Sequence, residues 1–145
     1  MGKDCFVAKL RLRIVTPIEE KVDEEVDMVI MRCESGDMGI QPGHEERSAA
    51  LDHGIARIFN DGEERRIAIN SGIARVKDDV LTVIANEAVW PEDIDRAEVE
   101  AERDLAERQL KEAVDKLEIR RSQYALRRSL VHIEISSYPV IGGKH

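Results

Sequence analysis

The spacing of the apolar residues changes at Pro91, and this change limits the folds open to the chain. Before it, apolar and polar residues alternate in short stretches, for example along Ala8–Ile14, which is the pattern of half-buried strands. After it, no glycine or proline occurs until Pro139, and apolar residues recur every three or four positions, as in helices. The two periods predict an α+β protein: an antiparallel β-sandwich over residues 1–90, followed by a two-helix hairpin.

Turn-forming residues separate the predicted strands. Asn60-Asp61-Gly62 and Lys77-Asp78-Asp79 each lie between two apolar stretches, and such residues tolerate the positive φ angles that tight hairpins need. Val22 and residues 26–33 are expected in further strands. Short strands with no helix between them favour sheets that pack face to face.

Residues 91–135 are predicted to form the helical hairpin, with few contacts to the sandwich, and residues 136–145 a flexible tail. Asp93 is expected to cap the first helix. The apolar stripe shifts between Asp115 and Glu118, which predicts a short turn there, although one continuous helix is also possible because no glycine or proline marks the turn. The expected apolar positions are Ala97, Ala101, Leu105, Ala106, Leu110, Ala113, Val114 and Leu117, and then Ile119, Tyr124, Leu126, Leu130 and Ile133.

Composition disfavours several classes of function. The net charge of −8 repels a phosphate backbone, and an aromatic content of 3% leaves few rings to stack on bases, so nucleic acid is not an expected partner. No apolar run approaches the roughly 20 residues of a membrane-spanning helix. The N-terminus lacks the apolar stretch of a signal peptide, which favours the cytoplasm. Cys5 and Cys33 are expected to be reduced and packed, since two cysteines are too few for a disulfide scaffold.

The two predicted helices carry opposite charges. Residues 92–118 hold eleven acidic and five basic side chains, a net of −6, whereas residues 119–145 hold one acid and five bases, a net of +4. The helices are expected either to pair with each other or to present the second helix to an acidic surface elsewhere, since such attraction selects partners more than it stabilises. Two solvated helix faces are the alternative interpretation.

Gly36–His44, which reads GDMGIQPGH, is the most specific segment. Its three glycines, proline and histidine predict a rigid surface loop at one end of the sandwich, where binding residues often lie. The segment resembles the loop of the ε subunits of F-type ATP synthases, which reads Gly-x-Leu/Met-Gly-Ile-x-Pro-x-His. Unlike the family, the chain continues after His44 with Glu45-Glu46 in place of Ala-Pro. Further landmarks follow in the family's order over residues 8–135, namely the strand at 29–33, Gly54, Ser71-Gly72, the strand at 80–85 and Ile94-Asp95.

The resemblance implies a set of partners. In this family the sandwich binds the γ subunit and sits on the ring of c subunits, which implies contact or loop-shaping roles for Asp37, Met38 and His44. For His44, capping the turn internally is an equally open interpretation. The family's second helix can reach an acidic loop of the β subunits and inhibit ATP hydrolysis. Here the basic side chains of that kind are Arg120, Arg121, Arg127 and Arg128.

The resemblance also implies a non-catalytic subunit of a proton- or sodium-translocating ATP synthase, attached to the cytoplasmic face of the membrane only through its partners. No cofactor is expected. Some relatives bind ATP through Ile/Leu-Asp-x-x-Arg-Ala, but here Ile94-Asp95 is followed at the matching positions by Glu98 and Val99. An anion at the first of these positions disfavours phosphate.

Two other functions are alternatives to an ε subunit. A metal or nucleophile site would need Cys33, His44 and His53, whose spacing matches no zinc signature, and the chain has no nucleophile-elbow or phosphate-loop motif. A free-standing adaptor with a sandwich head and a coiled-coil tail fits the composition and the periodicity equally well. Binding to a γ subunit distinguishes the adaptor from an ε subunit.

Overall fold

The computed structural model describes residues 8–138, which form eight strands followed by two helices. The strands are β1 (Leu10–Val15), β2 (Glu20–Val26), β3 (Met28–Cys33), β4 (Gly36–Ile40), β5 (Arg47–Asn60), β6 (Glu63–Lys77), β7 (Val80–Ala85) and β8 (Ala88–Val89). They belong to one sheet of order β2-β1-β7-β6-β5-β3-β4, and β8 pairs with β6. Helices α1 (Arg96–Glu112) and α2 (Lys116–Ser136) follow a short 3-10 helix at Pro91–Asp93.

The core lies between the inner faces of the sheet and is built from aliphatic side chains. Alternate residues of β1 are fully buried, which agrees with the period of two in the sequence. Cys33 is a buried free thiol, as expected, and burial raises its pKa. Cys5 lies outside the described residues. The fold class is confirmed as a β-sandwich followed by two helices.

Both predicted hairpin turns are present. Asp61 and Gly62 have φ angles of 52° and 81°, and Asp78 and Asp79 have φ angles of 52° and 62°. Positive φ at both central residues gives the turn the twist that the flanking strands require. The strands are longer than the sequence indicates, because β5 and β6 pair from Arg47↔Val76 to Asn60↔Glu63. One pairing was not predicted: β1 and β7 run parallel, with Leu12 opposite Leu81.

The helices differ from prediction in their caps. The side chain of Asp95, rather than that of Asp93, accepts a hydrogen bond from the backbone N–H of Glu98 and caps α1. Asp93 lies instead in the 3-10 helix that Pro91 begins. The predicted turn between the helices is present, and Asp115 caps α2 through the N–H of Glu118.

The predicted apolar stripe of the hairpin is wrong in detail. Leu105, Val114 and Leu117 are exposed, and the buried residues of α1 are Val99 and Ala106. The buried residues of α2 are Ser122, Ser129, His132 and Ile135. The Ser129 hydroxyl donates to the carbonyl of Ala125, so it is satisfied within its own helix and is buried at little cost.

Candidate functional site

The Gly36–His44 segment is only partly a loop. Residues Gly36–Ile40 form β4 and pair with β3, in register from Cys33↔Gly36 to Val29↔Ile40. The prediction of a loop over the whole segment is therefore wrong, because Met38 and Ile40 alternate toward the core and β3 offers an edge on which to pair. Asp37 is exposed as expected, but it lies on a strand, where the guanidinium of Arg32 donates to its carboxylate at 2.8 Å.

The turn after β4 is fixed to the neighbouring hairpin. The backbone N–H of Gly43 donates to the carboxylate of Asp79 at 2.6 Å, and the N–H of His44 donates to the carbonyl of Gln41 at 3.2 Å. The imidazole Nδ1 of His44 lies 2.7 Å from the carbonyl oxygen of Glu45. His44 therefore shapes this turn and still presents part of its ring to solvent.

A short apolar strip crosses the outer face of the sheet. Ile73 on β6 and Ile84 on β7 lie opposite each other, and their side chains are 58% and 62% exposed. On the other side of β6, the exposed Ala50 of β5 pairs with Ile73. Ala50, Ile73 and Ile84 are called the apolar strip below. Side chains of this kind on an outer sheet face mark a surface suited to contact with another protein.

The four arginines of α2 divide into two pairs. Arg120 and Arg121 are exposed and form no ion pair within residues 8–138. The guanidinium of Arg127 donates to Asp52. Arg128 binds both carboxylate oxygens of Glu87, at 2.6 and 2.9 Å, and also binds Glu102 at 2.9 Å.

A buried polar layer joins α2 to the outer face of the sandwich. The amide nitrogen of Asn70 lies 2.7 Å from the imidazole Nε2 of His132 and donates to Glu87 at 3.3 Å. The amide oxygen of Asn70 lies 3.3 Å from Nδ1 of His53, whose ring meets that of Tyr124 edge to face. This group, with Arg128, is called the polar layer. The expectation of few contacts between hairpin and sandwich did not include this layer, whose side chains satisfy one another when α2 is docked.

The charges within the polar layer set its pKa values. Burial raises the pKa of the Glu87 carboxyl, but its two hydrogen bonds from Arg128 outweigh that effect and hold the pKa below its usual range. Burial lowers the pKa of His132, and the nearby Arg128 lowers it further, against the opposing effect of Glu87 and Glu102. Docking therefore favours ionised Glu87 and neutral His132.

Three further arginines line a groove beside α2, but each of them is paired. Arg32 binds Asp37, and both Arg57 and Arg66 bind Glu64 at 2.8 Å. Arg66 also lies 4.1 Å from the ring centre of Tyr138. Glu134 also lines the groove, so three carboxylates offset the three arginines and the groove has no excess positive charge to attract an anion.

The candidate metal-ligating residues are dispersed. Cys33 is in the core, His44 is in the turn after β4, and His53 lies under α2. Among residues 8–138, no three side chains of the metal-ligating types come together. Over the same residues, no helix has both the length and the apolar character to cross a bilayer.

Comparison with known proteins identifies the family. Residues 9–91 match the family described as "ATP synthase, Delta/Epsilon chain, beta-sandwich domain". The ATP synthase epsilon chain of Bacillus velezensis is 35% identical over 127 residues, which are 88% of this chain and 96% of the relative. The chain belongs to the ε-subunit family of F-type ATP synthases. Family members are subunits of the central stalk, and the predicted resemblance is thus confirmed.

The similarity extends to ATP synthase chains of organelles. The chloroplastic ATP synthase epsilon chain of Lotus japonicus is 35% identical over 125 residues, which are 86% of this chain and 94% of the relative. A chain in the Euglena gracilis mitochondrial ATP synthase structure "OSCP/F1/c-ring in rotational state 1" superposes with a TM-score of 0.77 at 25% identity. That match covers 90% of this chain and 82% of that chain. The sequence match and the structural match therefore both extend beyond the sandwich into the helical hairpin.

Sequence reasoning missed the polar layer of this ε-family chain. His53, Asn70 and His132 were not predicted to meet, since 62 residues separate Asn70 from His132. One sequence signal could have indicated that His132 is buried: it lies three residues before Ile135, on the same face of a helix predicted to be amphipathic.

Proposed function

We propose that the chain is a non-catalytic rotor subunit that joins γ to the c-subunit ring through residues 1–90 and restrains ATP hydrolysis through residues 91–135. The observation that carries the proposal is the mode of docking of α2. Ion pairs and buried hydrogen bonds, together with the buried Ile135, hold this helix on the sandwich. Water can satisfy such polar groups when the helix is released, so these contacts suit a regulatory element with a docked and a released arrangement. The chain then lies at the cytoplasmic face of the membrane, attached only through its partners.

Two surfaces of the sandwich support the docking role. The apolar strip suits a γ subunit, because the two exposed isoleucines gain burial when a protein covers them. Asp37, Met38 and His44 lie on β4 and the following turn, which Asp79 clips to the neighbouring hairpin. A fixed turn with an exposed carboxylate suits the polar loops of a c-subunit ring.

The arginines of α2 support the regulatory role. Arg120 and Arg121 are exposed in the docked state, whereas Arg127 and Arg128 are occupied by Asp52 and Glu87. Undocking would release Arg127 and Arg128 from these sandwich carboxylates. Arg128 would keep Glu102 of α1 as a partner, whereas Arg120, Arg121 and Arg127 would be free to bind another protein. Guanidinium groups bind carboxylates through paired hydrogen bonds, so the released helix suits an acidic loop of a β subunit.

Co-assembly with γ tests the docking role. Purified chain is expected to bind the γ subunit of the same cell, and Ile73→Asp with Ile84→Asp is expected to weaken binding at least tenfold. Val114→Asp is the matched control, because Val114 is 87% exposed in the turn between α1 and α2, outside the residues 1–90 that are proposed to bind γ. Failure of the unaltered chain to bind γ, alone or in the catalytic head, overturns the assignment and favours a free-standing adaptor.

Truncation tests the division of labour. A chain ending at Asp93 keeps the buried Trp90 and all eight strands, and it is expected to assemble while ATP hydrolysis by the complex changes. Loss of assembly in this truncated chain would contradict a docking role confined to residues 1–90.

A further inference from the structure

We propose that His132 makes the docking of α2 depend on pH: a proton taken up at its Nε2 breaks the contact with Asn70 and releases the helix from the sandwich. The inference rests on the proposed function only in treating the hairpin as a switch. The docking itself is a property of the isolated chain.

The hydrogen bonds of the polar layer specify an unprotonated Nε2. This nitrogen faces the amide nitrogen of Asn70 at 2.7 Å, and an amide nitrogen only donates, so Nε2 must accept. His132 is 2% exposed and Asn70 is fully buried, so no solvent replaces the bond when it is lost. A proton on Nε2 would set two donors against each other within the buried layer.

Reversal of the Asn70 amide would replace this conflict with another. The amide nitrogen also donates to Glu87 Oε1 at 3.3 Å, and the amide oxygen faces His53 Nδ1 at 3.3 Å. A reversed amide would place its oxygen against the Glu87 carboxylate, which only accepts, and would require His53 to change its tautomer. The observed orientation is therefore fixed from three sides, by β5, by α2 and by the connection after β7.

Charged groups face His132 from each element packed around it. Arg128 lies one turn away on α2 and disfavours a second positive charge, and His53 on β5 acts in the same direction. Glu87, whose Oε1 is 3.8 Å from Nε2, and Glu102 on α1 favour the charge. Both carboxylates already bind Arg128, so their attraction is largely satisfied. Burial and Arg128 prevail, and the pKa of His132 is lowered.

The sign of the pH effect follows from this lowered pKa. The docked state binds fewer protons than the undocked state, in which His132 has its ordinary pKa of 6.5. The contribution of His132 to docking is complete above pH 6.5 and is lost as the pH falls through the lowered pKa. Over that window the docking equilibrium falls by up to about tenfold per pH unit.

Amide hydrogen exchange of the isolated full-length chain tests the proposal. After correction for intrinsic rates, protection of residues 122–135 is expected to fall between pH 7.5 and pH 5.5 by up to about tenfold, with strands β5 and β6 unchanged. His132→Gln, which keeps an acceptor but does not titrate, is expected to abolish this dependence. His44→Gln is the matched control, because His44 lies outside the polar layer, and it is expected to retain the dependence.

A second measurement covers the case in which His132→Gln fails to dock at any pH. In the unaltered chain, NMR titration of the imidazole resonances is expected to give His132 a pKa below 6.5, with the α2 amide shifts moving at the same midpoint. The proposal is overturned if α2 protection changes less than twofold in the unaltered chain, or if His132→Gln keeps the pH dependence. It is also overturned if the amide shifts follow a different group. None of these outcomes depends on γ, so they are separate from a failure of the proposed function.

Discussion

At the scale of single residues, Gly72 carries a backbone constraint that no side-chain contact reveals. Its φ is +149°, and an added Cβ would lie 2.2 Å from the carbonyl oxygen of Ile84 and 2.8 Å from the Cα of Ala85. Both neighbours are backbone atoms of β7, so the strand pair would have to separate to make room. We expect Gly72→Ala to lower the free energy of unfolding by more than about 2 kcal/mol, measured by urea denaturation.

Gly36→Ala is the matched control for this prediction. Gly36 also has a positive φ, of +118°, but an added Cβ there meets nothing within 4 Å. Gly36→Ala therefore isolates the conformational cost of a side chain at positive φ, which is expected to be about 1–2 kcal/mol. Equal losses of stability in the two variants would contradict the steric argument.

Glu87 decides whether Arg128 ties the hairpin to the sandwich. Glu87 belongs to the sandwich and binds Arg128 with both oxygens, whereas Glu102, the other partner of Arg128, belongs to the hairpin itself. Glu87→Gln is expected to weaken docking by about 1–3 kcal/mol, the usual value of a charged hydrogen bond. If the released helix is inhibitory, ATP hydrolysis by the assembled enzyme falls severalfold in a steady-state assay.

Glu102→Gln is the control for Glu87→Gln, since it removes a charged partner of the same arginine, Arg128, but leaves the ion pair between Arg128 and the sandwich intact. Hydrolysis in this variant is expected to stay within about twofold of the unaltered enzyme. A larger effect of Glu102→Gln than of Glu87→Gln would show that Arg128 acts within the hairpin rather than as a tie to the sandwich.

At the scale of elements, the break between the helices depends on a cap rather than on a helix-breaking residue. Asp115 accepts from the N–H of Glu118, and the Glu118 carboxylate accepts from the N–H of Val114 at 3.4 Å. This reciprocal arrangement resembles a capping box and explains how the chain turns without glycine or proline. It also explains why a continuous helix was an open alternative in the sequence.

We expect Asp115→Ala to destabilise the start of α2 by about 1 kcal/mol, because it removes the N-cap. Faster amide exchange at residues 116–119 checks this expectation. Asp104→Ala, an exposed change in the middle of α1, is the comparison variant and is expected to leave those amides unaffected. Unchanged exchange in Asp115→Ala would indicate that packing, rather than the cap, positions the turn.

The elements also mark how far sequence reasoning reaches. Alternation and turn chemistry predicted the hairpins around Asp61-Gly62 and Asp78-Asp79, because both act over a few residues. The parallel pairing of β1 with β7 and the contact of Asn70 with His132 join distant segments, and no local period encodes them. The helix stripe failed because Ser122, Ser129 and His132 are buried on α2 beside Ile135, whereas larger apolar residues such as Val114 face solvent.

At the scale of the whole molecule, the two parts are held by different forces. The sandwich has an aliphatic core, whereas α2 is held by Arg127–Asp52, Arg128–Glu87 and the polar layer. Screening reduces the attraction of partly exposed charges, and the Debye length falls from about 10 Å at 0.1 M salt to about 3 Å at 1 M. We therefore expect 1 M NaCl to lower amide protection in α2 at pH 7.5 while protection in β5 and β6 is maintained.

The salt prediction needs a control for changes in apolar interactions. The variant Glu87→Gln supplies it, because its docking should depend less on salt once the main ion pair is lost. Equal salt sensitivity in the two chains would mean that the charges at this interface contribute little to docking.

Strand β6 carries both Asn70, which binds α2, and Ile73 of the apolar strip. A strand advances about 3.3 Å per residue, so the two positions lie at most about 10 Å apart on one continuous backbone. If a partner bound at Ile73 shifts the release of α2, thermodynamic reciprocity requires that the release change that partner's affinity by the same factor. The affinity of the apolar strip for its partner would then depend on whether α2 is docked, and the docking of α2 would depend on whether the partner is bound.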